Sequence, residues 1–126
     1  MMTEKNSSLD VKKAVKLFVY VERIKSELII AARLLEEIQN LKESEGEGAK
    51  KPMLSFLNAL QGETQIAYNV SKEKNFEQAT MKVREATERT RSKEYREAIR
   101  CVSEAISIST TAGQPALQLL KEKELL

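Results

Sequence analysis

Between Ala14 and Ile38, apolar residues recur at alternating steps of three and four without a miss: Ala14, Leu17, Val21, Ile24, Leu28, Ala31, Leu35 and Ile38. A row with that spacing stays on one side of an α-helix for roughly four heptads, and no strand keeps such residues on one face. The spacing predicts one helix of about 30 residues, near 45 Å long, over residues 9–42, with Ser8 as its N-cap. Phe18, Tyr20, Leu34 and Leu41 widen the stripe beyond a two-stranded seam. The helix should therefore pack against more than one neighbour, as in a bundle.

The rest of the chain reads as shorter helices. Residues 42–51 (KESEGEGAKK) look like a charged, glycine-containing linker, after which Pro52 suits the first turn of a second helix over residues 52–71. Met53, Phe56, Leu57, Leu60, Ala67 and Val70 give that helix a core face, with Gly62 and Thr64 weakening its middle. From residue 76 to 112 the pattern stays helical but shifts phase. Phe76, Ala79, Val83, Ala86 and Thr90 point one way, whereas Tyr95, Ala98, Ile99, Val102, Ala105 and Ile106 point about a quarter turn away. A hairpin of helices over 76–91 and 93–112, with Ser92 capping the second, explains the shift; one long helix that changes partner midway is the alternative. Gly113 and Pro115 suggest a stop and a restart, leaving a last helix over 115–124. The expectation is an all-α, single-domain bundle of four to five helices spanning residues 1–126.

Charge and residue absences narrow the function. The 21 Lys and Arg nearly balance the 19 Asp and Glu, so any affinity for nucleic acid must come from local clustering. A single cysteine, Cys101, rules out an internal disulfide and fits a reducing compartment. Residues 1–10 lack a signal-peptide layout, and the apolar runs are broken by Glu22, Arg23, Lys25, Glu27 and Arg33. A soluble cytoplasmic protein that does not enter membranes is expected. With no histidine there is no imidazole base and no two-histidine metal site. The pairs Glu85/Glu88 and Glu94/Glu97 resemble the Mg²⁺-binding carboxylates of all-α nucleotide pyrophosphatases. Basic neighbours at helical spacing favour plain ion pairs instead: Arg89 for Glu85, Arg91 for Glu88, Lys93 and Arg100 for Glu97. No enzyme, no cofactor and no metal are expected.

Two features remain as carriers of function. Lys82, Arg89, Lys93, Arg96 and Arg100 stand 7, 4, 3 and 4 residues apart, within a sector about 60° wide on a continuous helix. Such a row offers what a single-stranded DNA or RNA phosphate backbone needs, point charges at repeated intervals without base reading, and five such contacts would give a log–log salt slope of roughly −3.5. The second feature is residues 94–109 (EYREAIRCVSEAISIS). Tyr95, Ala98, Val102 and Ala105 make it resemble the second helix of a tetratricopeptide-type hairpin, over about a quarter of the chain.

In size, all-α character, want of catalytic residues and the Lys82–Arg100 row, the chain also resembles the small helical subunits of CRISPR effector complexes. That likeness is architectural. It implies a non-catalytic subunit of a larger antiviral assembly, contacting a nucleic-acid backbone. The alternative is a protein-interaction module, with Leu17, Val21, Ile24, Leu28, Leu35 and Ile38 forming a seam for self-association or for a partner helix.

Overall fold

The computed structural model describes residues 9–126. They form four helices: α1 (Val11–Gln39), α2 (Glu43–Ser71), α3 (Lys74–Arg91) and α4 (Tyr95–Glu122). No strand occurs among the described residues. Connections of two or three residues force each helix back along its predecessor, giving an up-down-up-down bundle. Each helix touches the two beside it in the ring. Across the diagonals, α1 with α3 and α2 with α4, no Cα atoms come within 8 Å. The most extensive packing joins the first helix to the last, and the least joins α1 to α2.

The eight positions of the α1 stripe are the eight buried residues of that helix. The expected cap at Ser8 lies outside the described residues. Asp10 caps α1, its carboxylate accepting from the Lys13 backbone N–H at 2.9 Å.

Three boundaries differ from the sequence-based expectation. The stretch 42–51 is no linker: α2 starts at Glu43 and runs through Pro52. Glu43 and Glu45 suit the positive end of the helix dipole, and the second turn is anchored from outside. Lys93 reaches Glu47 at 2.6 Å and Glu43 at 3.6 Å, while Lys50 donates to the Arg91 carbonyl at 3.5 Å. Pro52 removes one hydrogen bond, to the Gly48 carbonyl, but both residues are exposed and water can take its place.

The second difference is at the C-terminal end, where no fifth helix exists and α4 passes through both Gly113 and Pro115. Gly113 has no positive φ and is buried; a Cβ there would meet Val21 Cγ1 at 2.9 Å. This glycine lets α1 and α4 approach. It does not end a helix. The third concerns the α3–α4 break, which falls at residues 92–94, where Ser92 closes α3 instead of capping α4 and Lys93 takes a left-handed φ of 61°.

The core is uneven in size. α1 contributes mainly Leu, Ile and Val, whereas α4 contributes Ala98, Cys101, Val102, Ala105, Ser109, Ala112, Gly113, Ala116 and Leu120. Hydroxyls on α3 are absorbed locally. Thr80, Thr87 and Thr90 each donate to the carbonyl four residues earlier, and Thr64 meets Thr80 at 2.7 Å.

Candidate functional site

The break at residues 92–94 divides the basic row. Lys82 and Arg89 ride on α3, Lys93 sits in the turn, and Arg96 and Arg100 begin α4. Because α3 and α4 run antiparallel, three of the five still gather along one groove. Lys82 reaches across to Glu104 at 2.8 Å, Arg100 meets the same carboxylate at 3.0 Å, and Arg89 meets Glu94 at 2.7 Å. Arg100 is held twice, since Glu97 accepts from it at 2.7 Å. Lys93 leaves the row altogether and turns toward Glu43 and Glu47 of α2. Only Arg96 makes no ion pair among the described residues, and it is exposed.

These pairs show in the acid–base behaviour. The hydrogen bond to Glu104 holds Lys82 protonated above its ordinary value, and in return the Lys82 ammonium holds the Glu104 carboxyl below its own. Arg100 lowers Glu97 in the same way, and Lys93 lowers Glu47. A phosphate arriving on this face must first displace a carboxylate from most of the cations it would use.

The carboxylates read as possible Mg²⁺ ligands are engaged as well. Glu85 faces Lys82 and Arg89, Glu88 meets Arg91 at 2.6 Å, Glu94 holds Arg89 and Glu97 holds Arg100. The expected Glu97–Lys93 pair does not form, because Lys93 is taken by α2. Among the described residues no cluster of His, Cys, Asp and Glu could hold a metal ion. Cys101 is buried; desolvation first, then the nearby Glu85 carboxylate, pushes its thiol up from its ordinary value.

The seam of α1 is spent inside the chain. Leu17, Val21, Ile24, Leu28, Leu35 and Ile38 are all buried, covered by α2 and α4. In the α3–α4 hairpin Ala98, Val102 and Ala105 pack into the core with Tyr95 half-buried, but α4 continues well beyond a tetratricopeptide helix and also serves α1.

Leu34 and Leu41, expected to widen the packed stripe, and Val70, expected on the core face of α2, are instead exposed, and they stand with apolar residues that the heptad pattern did not assign. Val15, Val19, Ile29, Ile30 and Leu34 on α1, Leu41 in the turn, and Ile66 and Val70 on α2 are all exposed. On α3 the exposed large apolar residue is Met81, and on α4 there is none; Leu125 and Leu126 follow its end. Val19, Arg23, Ile30 and Leu34 follow steps of 4, 7 and 4, which keeps them on one flank of α1. That flank faces α2, since Arg23 meets Glu63 at 3.1 Å. Glu63, Ile66 and Val70 continue the surface on α2. The signal was present in the sequence as apolar residues off the 4-3 rhythm.

No protein-family model matches the chain, and no curated protein or solved structure matches it. Among the described residues no helix is long and apolar enough to cross a membrane.

Proposed function

We propose that this chain is a non-catalytic helical subunit of a cytoplasmic assembly, and that it meets a second copy of itself through the outer face of α1 and α2. The observation that carries this is the one-sided distribution of exposed Val, Ile and Leu on α1 and α2, facing away from the ion-paired α3–α4 side. Arg23 and Glu63 pair within one chain at 3.1 Å and so stand at the same height, where a second copy can exchange the two partners. A two-fold axis along the bundle lays α1 of one copy over α2 of the other. Arg23 then stands over the second copy's Glu63, and Val19 over its Ile66. The surface is self-complementary, as an isologous interface requires.

Sedimentation or light scattering across a concentration series tests it. The wild-type chain should dimerise, and Ile30→Ser with Leu34→Ser and Ile66→Ser should hold it monomeric with helicity unchanged. Arg23→Glu should weaken the dimer, and Glu63→Arg added to it should restore the dimer. A wild-type chain that stays monomeric at every concentration overturns the reading. Substituting the buried seam, for example Leu28→Asp, would only unfold the bundle.

Contact with a nucleic-acid backbone, which the likeness to CRISPR small subunits implies, is the second reading. Its support is the convergence of Lys82, Arg89 and Arg100 on the α3–α4 groove, with Arg96 exposed beside it. Because carboxylates already neutralise most of the row, the salt slope should be shallower than the roughly −3.5 of five free cations. Absence of single-stranded DNA or RNA binding at low salt, or binding unchanged by Arg89→Glu with Arg96→Glu, sinks it.

A further inference from the structure

The end of the bundle opposite the Lys93 anchor carries a cleft of about 460 Å³ between the start of α1 and the α2–α3 turn. Its apolar lining includes Leu17, Tyr20 and Val70, and its basic residues are Lys13, Lys16 and Lys72. All three lysines are exposed and none makes an ion pair among the described residues. That sets this end apart from the α3–α4 face, where most cations are matched. One carboxylate, Glu73, also lines the cleft and leaves the cations in excess.

Lys72 adds a second, independent observation. It closes α2 in the left-handed conformation, φ 62°, a place where glycine or asparagine is the low-energy choice. Its ammonium lies 5.7 Å from the centre of the Tyr68 ring. Lys93 and Glu124 share this helix-end conformation, so what distinguishes Lys72 is its place in the cleft lining and the Tyr68 ring beside its ammonium.

We infer that this cleft binds a small amphipathic anion, a carboxylate or phosphate attached to an aliphatic or aromatic body. The lysines would take the anionic head, and Leu17, Tyr20 and Val70 the body. A purely polar anion would leave the apolar lining unused, and a neutral apolar molecule would gain nothing from the three ammonium groups.

Calorimetric titration of the full chain carrying Ile30→Ser, Leu34→Ser and Ile66→Ser tests this without interference from self-association, and the wild type serves as a parallel sample. Decanoate probes an aliphatic body and 1-naphthyl phosphate an aromatic one. At least one of the two should saturate a single site in both samples. Lys13→Glu with Lys16→Glu should weaken it about tenfold, and Lys72→Gly about threefold. Lys72→Gly relieves the left-handed strain, so its Tm should hold or rise while affinity falls, which separates lost binding from lost folding. Three results overturn the inference: neither probe saturates, the lysine substitutions leave affinity unchanged, or 1-naphthol binds as tightly as its phosphate.

Discussion

The two sides of this bundle solve opposite packing problems. α1 buries large branched side chains and has apolar residues left over on its outer flank, whereas α4 buries mostly small ones and shows no large apolar residue outside. On α4 the small residues let the neighbouring helices approach: Gly113 lies against Val21 of α1, and Lys82 and Arg89 of α3 reach carboxylates on or beside α4. On the α1–α2 side the contact is the thinnest in the ring, and one ion pair, Arg23 with Glu63, crosses a surface otherwise lined with Val and Ile. An apolar outer flank and a charge-matched outer face on one small domain mean that burial and solvation were apportioned by side. Net charge, which is +2 for the whole chain, conceals this.

Changing side-chain size in opposite directions tests the difference most severely. Leu28→Ala on α1 should cost about 2–5 kcal/mol in denaturant unfolding, because it opens a cavity among large neighbours. Ala105→Leu on α4 should cost about 1–3 kcal/mol for the opposite reason, a lack of room. If Ala105→Leu stabilised the fold, the small-residue side would be loosely packed and the comparison would fail.

Gly113→Ala comes next, with a net loss of about 1–2 kcal/mol after its gain in helix propensity. Val21→Ala should be less harmful in the Gly113→Ala background than in the wild type, a non-additivity that a double-mutant cycle would read directly.

Acid should act on the ion-paired side and on the Lys93 anchor. Glu47, Glu97 and Glu104 are held below their ordinary values, chiefly by hydrogen bonds to Lys93, Arg100 and Lys82 respectively. Their folded values are lower than their unfolded ones. The stability they add is therefore present above the ordinary glutamate range and drains away as pH falls through the folded values. Thermal unfolding at pH 7 and pH 3 should show this loss, and Glu47→Gln with Glu104→Gln should shrink it. The smallest expected effect is at Arg96→Ala, where no ion pair is lost among the described residues and Tm should not move.

How much of this was legible in the sequence depended on range. The α1 stripe was fully readable because eight regularly spaced residues must share a face, and the phase shift between Thr90 and Tyr95 located the hairpin. The glycine and proline positions misled for one physical reason: local propensity yields to tertiary packing. Gly46, Gly48 and Pro52 remain helical while Lys93 and Lys50 tie the start of α2 to the α3–α4 turn, and Gly113 is helical because Val21 occupies the space a side chain would need. Within the basic row, pairs three or four residues apart were foreseeable, as with Glu88 and Arg91 or Glu97 and Arg100. The partners across helices, Glu104 for Lys82 and Glu47 for Lys93, depend on hairpin register, which spacing along one chain does not encode.

The closure of the ring by α1 against α4 has a consequence during synthesis. The stripe from Ala14 to Ile38 is made well before its most extensive cover, residues 95–122. While the chain is being translated, α1 has only α2 to lean on, across the weakest contact in the bundle. The nascent chain therefore presents a long uncovered apolar stripe until residues 95–122 have left the ribosome.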